Sequence, residues 1–395
     1  MKFRSQLQLS LVLCAWSAIS GVMPAEDRAK YREDPGKYWV FDELAKAPSC
    51  RLAPQPEVQC AGMKALLVSG KGPKGAEAEF FAYYAVPDGT APAGGWPGLV
   101  LTHGGGGTAF PQWVDEWRKL GFAVIAMDWL NQMPAPALTN AALNETNVPR
   151  IPLPGGRRQD HVANVANIVL AHSLLRGFPE VDPERTVFVG LSWGSWYGGC
   201  VAAVDARFKG AVEIYCGDFN PRLGHGLVTG KFLHAAKVPM WWAVSTNDQN
   251  VRPETSQAGF EECAKFDGCA IVNNLPHSHC GFSFPSVQRM AKYYVGEAKR
   301  LPRLGGIVVK DGVARAKILD RGEGVAEARI GYTTEAKAKS HLCEWKYAPA
   351  EIRGDEIVAK VPPGTLKFYL AAYEKESRWH DLCGTTKFHV KDFLL

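Results

Sequence analysis

The sequence feature that most constrains the fold is a serine flanked by glycines near the middle of the chain. Residues 186–191 form a largely apolar run of the kind expected of a strand buried on both faces. This run leads into Gly190-Leu191-Ser192-Trp193-Gly194, and a helix is expected to follow through Val201. Glycines on either side of a serine allow a sharp turn from strand to helix that leaves the hydroxyl exposed above a sheet. The other interpretation is a glycine-rich turn with a structural serine.

Segments with strand and helix patterns alternate along the chain on both sides of this turn. Continuous apolar runs predict buried strands, and apolar residues at helical spacing predict amphipathic helices. Their alternation over residues 63–299 favours an α/β fold with a doubly wound, mainly parallel sheet. The predicted strands are 78–86, 98–102, 121–128, 186–191, 211–216, 238–245 and 269–275, and the predicted helices are 111–120, 160–175 and 285–299.

The pattern changes after Arg303. Residues 306–310, 325–333, 356–361 and 365–372 alternate between apolar and polar side chains, and Pro and Gly turns separate them. Short alternating strands without a clear helix predict a small β-sandwich of the fibronectin III or immunoglobulin type. The sequence therefore predicts an α/β domain over 26–303 and a sandwich domain over 304–395.

The first 25 residues have the layout of a secretory signal peptide. Lys2 and Arg4 precede an apolar stretch over 7–19, which small residues and then charged sequence follow. Cleavage after Ser20 and cleavage after Ala25 both fit this layout. No other apolar run approaches the ~20 residues that a helix needs to span a bilayer. We therefore expect a mature protein without an integral membrane segment, secreted or periplasmic.

Composition narrows the classes of partner and cofactor. The 45 Lys and Arg residues are interspersed with 40 Asp and Glu residues, for a net charge of only +5, which argues against a nucleic-acid partner. No two of the ten cysteines have the two-residue spacing of zinc ligands, and we expect neither a metal nor a cofactor. An oxidising compartment permits disulfides, although connectivity cannot be deduced from sequence. The candidate bridges are Cys50–Cys60, Cys263–Cys269 and Cys343–Cys383, while Cys200 and Cys216 also fit inert core positions.

A second glycine-rich segment, His103-Gly104-Gly105-Gly106-Gly107, directly follows the predicted strand 98–102. In hydrolases with a nucleophile on a strand–helix turn, this loop supplies one backbone N–H to the oxyanion hole, and the residue after the nucleophile supplies the other. We therefore predict an oxyanion hole formed by the Trp193 amide with that of Gly104 or Gly105. A phosphate-binding loop would end in Gly-Lys-Ser/Thr, which is absent here. His103 is expected to shape the loop.

A nucleophilic serine needs a base and an orienting acid, in the chain order Ser, acid, His. Asp248 follows the predicted strand 238–245, and Asp218, after the preceding strand, is the competing candidate. Two histidines then follow the predicted strand 269–275. We prefer His279 as the base because it stands further beyond that strand. His277 is the second choice, with a possible role in contacting substrate.

Four segments together resemble the dienelactone hydrolase and acetyl xylan esterase-like branch of the α/β-hydrolases, namely 103–113, 190–195, 201–208 and 276–279. The similarity extends over about residues 98–299, and it includes the related catalytic domains of prolyl oligopeptidases. The resemblance implies an α/β-hydrolase fold and ester hydrolysis, often deacetylation of polysaccharides, without a cofactor. The chain departs from dienelactone hydrolases proper, which use a cysteine where this chain has Ser192. The bulky Trp193 next to it is expected to narrow the acyl pocket.

The sequence thus predicts a secreted serine carboxylic-ester hydrolase whose substrate is a small-molecule or polysaccharide ester, most simply an acetylated carbohydrate. A serine peptidase of the same fold is the first alternative. A non-catalytic carbohydrate-binding protein that kept the fold is the second. Aromatic side chains near the motifs could line a sugar or acyl site, although core packing is the simpler interpretation for any one of them. They are Trp113, Trp117, Trp129, Trp193, Trp196 and Tyr197.

Overall fold

The structure, a computed structural model, describes residues 25–134, 150–152, 160–217, 230–337, 340–375, 377 and 381–390. The predicted signal peptide lies outside the described residues except for Ala25, and so does the candidate acid Asp218.

A mixed sheet with helices on both faces forms the larger part of the molecule. Its strands lie side by side in the order β1-β2-β3-β5-β4-β8-β9-β10-β11. The first three neighbouring pairs, β1–β2, β2–β3 and β3–β5, are antiparallel, and all the following pairs are parallel. β6 and β7 pair separately as a hairpin. The strands are β1 (Ser49–Leu52), β2 (Lys64–Lys71), β3 (Glu77–Ala85), β4 (Trp96–Thr102), β5 (Ala123–Met127), β6 (Gln132–Pro134), β7 (Arg150–Pro152), β8 (Val181–Leu191), β9 (Gly210–Ile214), β10 (Met240–Ser245) and β11 (Phe266–Val272).

Five helices of at least two turns accompany this sheet in the described part of the chain. Proline occupies the first position of three of them, where its missing N–H costs no helical hydrogen bond. The side chain of Asp160 caps another by accepting hydrogen bonds from Val162 N and Ala163 N. The helices are α1 (Pro111–Lys119), α2 (His161–Arg176), α3 (Trp193–Val204), α4 (Pro253–Glu262) and α5 (Pro285–Tyr294). The sequence did not indicate α4.

Burial explains why the central strands have continuous apolar sequences. Every residue of β5, β9 and β10 is buried, because helices cover both faces of the sheet. The carboxyl ends of β4, β8, β10 and β11 lie at one edge of the sheet, since these strands are parallel. Loops that follow these strands are therefore brought together, which is where a site is expected in such a sheet.

The C-terminal part is an antiparallel β structure, as predicted. Its paired strands surround a small core that includes Ile330, Ile357 and Leu370. The two longest strands of this part, β14 and β16, were not predicted, although burial alternates along both of them. The strands are β12 (Arg303–Leu304), β13 (Val308–Lys310), β14 (Val313–Asp320), β15 (Glu327–Thr333), β16 (Lys346–Arg353), β17 (Glu356–Lys360), β18 (Lys367–Tyr373), β19 (Cys383–Thr385) and β20 (His389–Val390).

The C-terminal strands join the central sheet through β19. This strand pairs with β18 on one side and with β11 on the other, where Thr385 lies opposite Cys269. The hydroxyl of Thr385 also accepts a hydrogen bond from Ile271 N at 3.1 Å. Trp345, Tyr369 and other C-terminal aromatic side chains belong to the same hydrophobic core as the central sheet. The domain boundary at 303/304 stays a prediction.

The three predicted disulfides are wrong. None of the nine cysteines in the described residues forms a disulfide. One thiol of each candidate bridge instead contacts another group. Cys60 Sγ faces the Tyr83 hydroxyl at 3.7 Å, Cys263 Sγ lies 3.6 Å from Met240 Sδ, and Cys343 Sγ faces Glu335 O at 3.5 Å. The buried Cys200 and Cys216 fit the interpretation as core residues.

Candidate active site

Ser192 occupies a strained turn between β8 and α3. Its φ of 54° and ψ of −114° lie outside the regions that a side chain normally allows. Close packing around the turn demands the two flanking glycines, because a Cβ atom on Gly190 would lie 2.6 Å from Gly194 O and one on Gly194 would lie 2.1 Å from Thr102 O. The sharp turn therefore depends on residues without side chains, and it places Ser192 at the carboxyl end of the sheet.

Asp248 lies in the turn after β10 and is 2% exposed. Its Oδ1 accepts hydrogen bonds from Asn250 N at 2.7 Å and from Val251 N at 2.9 Å. These amides hold the carboxylate in place and help to balance its charge. Its Oδ2 remains directed at a ring nitrogen of His277, 2.6 Å away.

His277 connects this carboxylate to the serine. Its Nδ1 faces Asp248 Oδ2 and its Nε2 lies 3.0 Å from Ser192 Oγ. The ring packs on Tyr215 at a centroid distance of 4.6 Å, and the Tyr215 hydroxyl donates to Pro276 O at 2.6 Å. The backbone before His277 and the face of its ring are therefore both fixed by the same tyrosine. The sequence did not single out Tyr215, which lies inside the predicted strand 211–216 and directly follows the last residue of β9.

The preference for His279 over His277 is corrected by this geometry. β11 ends at Val272 rather than at residue 275, so His277 already stands well beyond the strand. The backbone then enters a short 3-10 helix, His279–Ser283, which turns the second histidine below the glycine loop. His279 is 5% exposed, and its Nε2 accepts a hydrogen bond from Gly104 N at 2.8 Å.

The same contact decides between the two loop glycines predicted for the oxyanion hole. The N–H of Gly104 is used by His279, so the assignment of Gly104 as a donor is corrected. Gly105 packs so closely on Trp193 that a Cβ atom would lie 2.5 Å from the indole Cδ1. Trp193 is the first residue of α3, directly after Ser192, where a helix directs its amides towards its N-terminal end. Gly105 thus packs against the side chain of the residue that directly follows Ser192.

Aromatic rings surround the start of α3. The His161 ring stacks on Trp193 with centroids 5.4 Å apart and an interplanar angle of 10°, and its Nδ1 lies 2.9 Å from the Tyr197 hydroxyl. The Trp196 and Trp129 rings lie 4.5 Å and 5.9 Å from that of Trp193. Trp193, Trp196 and His161 are partly exposed, so a ligand can reach these rings.

The other aromatic candidates have different surroundings. Trp117 is fully buried in the core against Phe122, and Trp129 is 6% exposed. Trp113 on α1 packs near Phe282, with centroids 6.1 Å apart. Core packing is therefore the correct interpretation for Trp117.

A second histidine–aspartate pair lies away from Ser192. His172 Nδ1 is 2.7 Å from Asp205 Oδ2, and its Nε2 is 2.9 Å from the hydroxyl of Thr186, in the middle of β8. Burial lowers the pKa of His172 to about 4, so the ring is neutral near pH 7. His172 lies on α2 and is fully buried. The pair stabilises the packing of α2 on β8.

The strand order and the positions of these residues decide the fold family. Ser192 follows β8, Asp248 follows β10 and His277 follows β11, at the carboxyl ends of a sheet whose order is β1-β2-β3-β5-β4-β8-β9-β10-β11. A serine on a strained strand–helix turn, followed by the acid and the histidine in this order, defines one architecture. The chain has the α/β-hydrolase fold.

No family model matches the chain, and no curated protein matches it. Several solved structures of α/β hydrolases are similar to it. The acetyl xylan esterase from Paenibacillus sp. R4 is 17% identical with a TM-score of 0.49, and the match covers 69% of this chain and 100% of that chain. Acetyl xylan esterase 1 from Thermoanaerobacterium sp. JW/SL YS485 is 18% identical with a TM-score of 0.46, covering 69% and 99%. Acylaminoacyl peptidase from Pyrococcus horikoshii is 14% identical with a TM-score of 0.42, covering 60% and 40%.

These structures are of esterases and a peptidase, the classes of hydrolase that the sequence resembles. Within the described ranges, no cluster of three or more His, Cys, Asp and Glu residues could hold a metal ion. Of the helices that the structure describes, none is long and apolar enough to cross a membrane.

A buried carboxyl group lies behind the strained turn at Ser192. Glu213 on β9 stands opposite Gly190 of β8, and it is fully buried. Neither carboxyl oxygen makes a well-directed hydrogen bond to the described residues. Burial raises the pKa of Glu213 well above its usual value, and the nearby Ser195 offsets this only in part. The folded protein therefore holds this proton more tightly than the unfolded chain does.

Because the pKa of Glu213 is raised in the folded state, its protonated carboxyl group contributes to the free energy of unfolding at low pH. This contribution is fully present below the unfolded pKa of 4.5 and is lost as the pH rises from there through the folded pKa. We expect Glu213→Gln to increase the free energy of unfolding by about 1–3 kcal/mol at pH 8, with a smaller gain near pH 4.5. Denaturant titration across this range measures the effect. Glu43→Gln, at an exposed position, is the control. An equal gain at both pH values would contradict the prediction.

Proposed function

We propose that the protein is a serine hydrolase that cleaves carboxylic esters, with Ser192 as nucleophile, His277 as base and Asp248 as orienting acid. The observation that carries the proposal is the continuous line from Asp248 Oδ2 through His277 to Ser192 Oγ, with distances of 2.6 Å and 3.0 Å. Each distance is within the range in which a base can take a proton from a nucleophile.

In the proposed reaction His277 Nε2 takes the hydroxyl proton of Ser192 as Oγ forms a bond with the ester carbonyl carbon. The carbonyl oxygen gains the negative charge and is stabilised by the Gly105 and Trp193 amides. The bond to the alcohol oxygen then breaks, and His277 gives its proton to the leaving alcohol. Water repeats the sequence on the acyl-enzyme, which releases the carboxylic acid and restores Ser192. Asp248 keeps the ring in the tautomer with hydrogen on Nδ1.

The substrate we propose is a small acyl ester of a carbohydrate, with acetyl as the acyl group. Trp193 stands next to the nucleophile and takes up space beside the loop of Gly105, which favours a short acyl chain. The partly exposed rings of Trp193 and Trp196 offer apolar faces for a sugar ring. The similar solved structures include two acetyl xylan esterases. We further propose that the protein is exported, on the basis of its N-terminal sequence.

Purified protein tests this proposal on p-nitrophenyl acetate, p-nitrophenyl octanoate and alanine p-nitroanilide. We expect turnover of the acetate ester, at least tenfold lower kcat/KM for the octanoate, and no turnover of the anilide. Release of acetate from acetylated xylan tests the carbohydrate. Ser192→Ala is the control, and ester turnover that survives this substitution would refute the proposed nucleophile. Cleavage of the anilide would favour the peptidase, and inactivity on all substrates would favour a binding protein.

A further inference from the structure

The two histidines around the glycine loop make complementary contacts with one residue, Gly104. His279 Nε2 accepts a hydrogen bond from Gly104 N at 2.8 Å. His103 Nδ1 lies 2.7 Å from Gly104 O, and because a carbonyl oxygen can only accept, the ring donates to it. Both polar groups of the Gly104 backbone are therefore held by imidazole nitrogens.

The contact of His103 has a direct consequence for the next amide. The Gly104 carbonyl and the Gly105 N–H belong to the same peptide group, and in a trans peptide they point in opposite directions. Fixing the carbonyl towards His103 therefore directs the Gly105 N–H away from that ring. The Gly104 carbonyl also accepts a hydrogen bond from Gly107 N at 3.1 Å, so the turn of the loop and His103 hold this carbonyl together. The two glycines themselves add little restraint, because neither has a side chain to limit its dihedral angles.

His103 is itself held by surrounding groups. Its Nε2 lies 3.2 Å from Asp128 Oδ1, and its ring stacks on Trp129 with an interplanar angle of 13°. The Asp128 carboxylate also accepts from the Thr108 hydroxyl at 2.8 Å and from Leu130 N at 2.8 Å. The indole of Trp129 donates to His103 O at 2.9 Å. These buried contacts fix the ring on the core side of the loop.

His279 is fixed against apolar rings. Phe110 contacts it edge to face with centroids 4.8 Å apart, and Phe282 lies 6.0 Å away. Burial, with a contribution from His103, lowers the pKa of His279 to about 3, so the ring is neutral near pH 7 and its Nε2 lone pair can accept. The two rings lie side by side below the loop, since a Cβ atom on Gly107 would be 2.7 Å from His279 Nε2 and 2.8 Å from His103 Nδ1.

From these contacts we infer that His279 is a positioning residue, which together with His103 fixes the glycine loop so that Gly105, and not Gly104, provides the loop donor to the oxyanion. This role rests on the proposed function. His279 touches neither the nucleophile nor the proton that moves. It acts through the backbone of Gly104, and its loss should affect the transition state more than the binding of the ester.

A matched pair of substitutions tests the role. The side-chain oxygen of His279→Gln can reach the position of Nε2 and accept from Gly104 N, whereas that of His279→Asn is one methylene too short. We expect His279→Asn to lower kcat on p-nitrophenyl acetate by about 100-fold with little change in KM, as for the loss of an oxyanion donor. His279→Gln should retain kcat within about tenfold of the wild type. Equal kcat in the two variants, or wild-type kcat in His279→Asn, would overturn the inference.

Two further measurements separate the possible failures. If Ser192→Ala is inactive while both His279 variants match the wild type, the proposed function stands and the positioning role falls. If Ser192→Ala retains ester turnover, the proposed function itself falls. If His279→Asn fails to fold, as judged by near-ultraviolet circular dichroism, the test is made on the wild-type protein by NMR. Nitrogen–nitrogen coupling by NMR across the bond between Gly104 N–H and His279 Nε2 supports the contact, and its absence overturns the role.

Discussion

Replacement of His277 with alanine is expected to lower kcat for ester hydrolysis by about 10⁵–10⁶-fold. The reason is that His277 Nε2, the proposed base, lies 3.0 Å from Ser192 Oγ, while Asp248 holds the other ring nitrogen. Without the imidazole, no base stands between Asp248 and Ser192 to accept the hydroxyl proton. Burst and steady-state kinetics on p-nitrophenyl acetate measure the loss. KM should change little, because the imidazole is not needed to bind the ester.

The control for His277→Ala is His279→Gln, which replaces a histidine two positions away and keeps the acceptor for Gly104 N. This variant should retain far more activity than His277→Ala. Added imidazole should restore part of the turnover of His277→Ala, since the cavity left at a partly exposed position admits a small base. A His277→Ala variant with more than about 1% of wild-type kcat would contradict the assignment, because loss of a triad base costs far more than that.

The substitution Gly194→Ala is expected to affect both folding and activity. A methyl group at this position would lie 2.1 Å from Thr102 O, a backbone atom at the end of β4 that cannot move without disturbing the sheet. We expect the free energy of unfolding to fall by about 3 kcal/mol or more. We also expect kcat to fall by at least about 100-fold, because the start of α3 and the Trp193 amide must shift. Thermal unfolding and ester kinetics measure the two effects.

Gly199→Ala provides the matched control on the same helix. A Cβ atom there would meet the end of the flexible Leu233 side chain, with Cδ2 at 3.0 Å, and no backbone within 4 Å. Alanine also favours the helix by about 1 kcal/mol relative to glycine. Stability close to that of the wild type is therefore expected. Similar losses in both variants would mean that helix packing in general, and not the turn at Ser192, limits the substitutions.

The fold could be predicted from the sequence because its central strands are buried on both faces. Their apolar runs are continuous, and the predicted strand 238–245 contains all of β10 (Met240–Ser245). Helix α2 was placed to within one residue at each end, since Asp160 marks its start. The elements at the outside of the fold were harder to predict from the sequence. β16 contains Pro349 and packs on one side only, so its sequence lacks a strong strand signal.

Sequence patterns identified those parts of the candidate site that have a local signal and missed those that depend on contacts between distant residues. A glycine-flanked serine after a buried strand has a local signal, and the acid follows a strand end. The choice between two histidines depends on where β11 ends, and strand ends are set by tertiary contacts such as the turn at Asn274, which has a φ of 55°. The hydrogen bond from Gly104 N to His279 Nε2 connects residues that are 175 positions apart in the sequence. No local sequence pattern reports such a contact, and none shows that the nine described cysteines form no disulfide.

The pairing of β19 with β11 has a further consequence for the behaviour of the protein in solution. β11 ends the row of parallel strands, and its outer backbone groups would otherwise be open to pairing with another chain, which is a common route to aggregation. β19 covers this edge at Cys269 through its contact with Thr385. The C-terminal strands therefore protect the central sheet against edge-to-edge self-association.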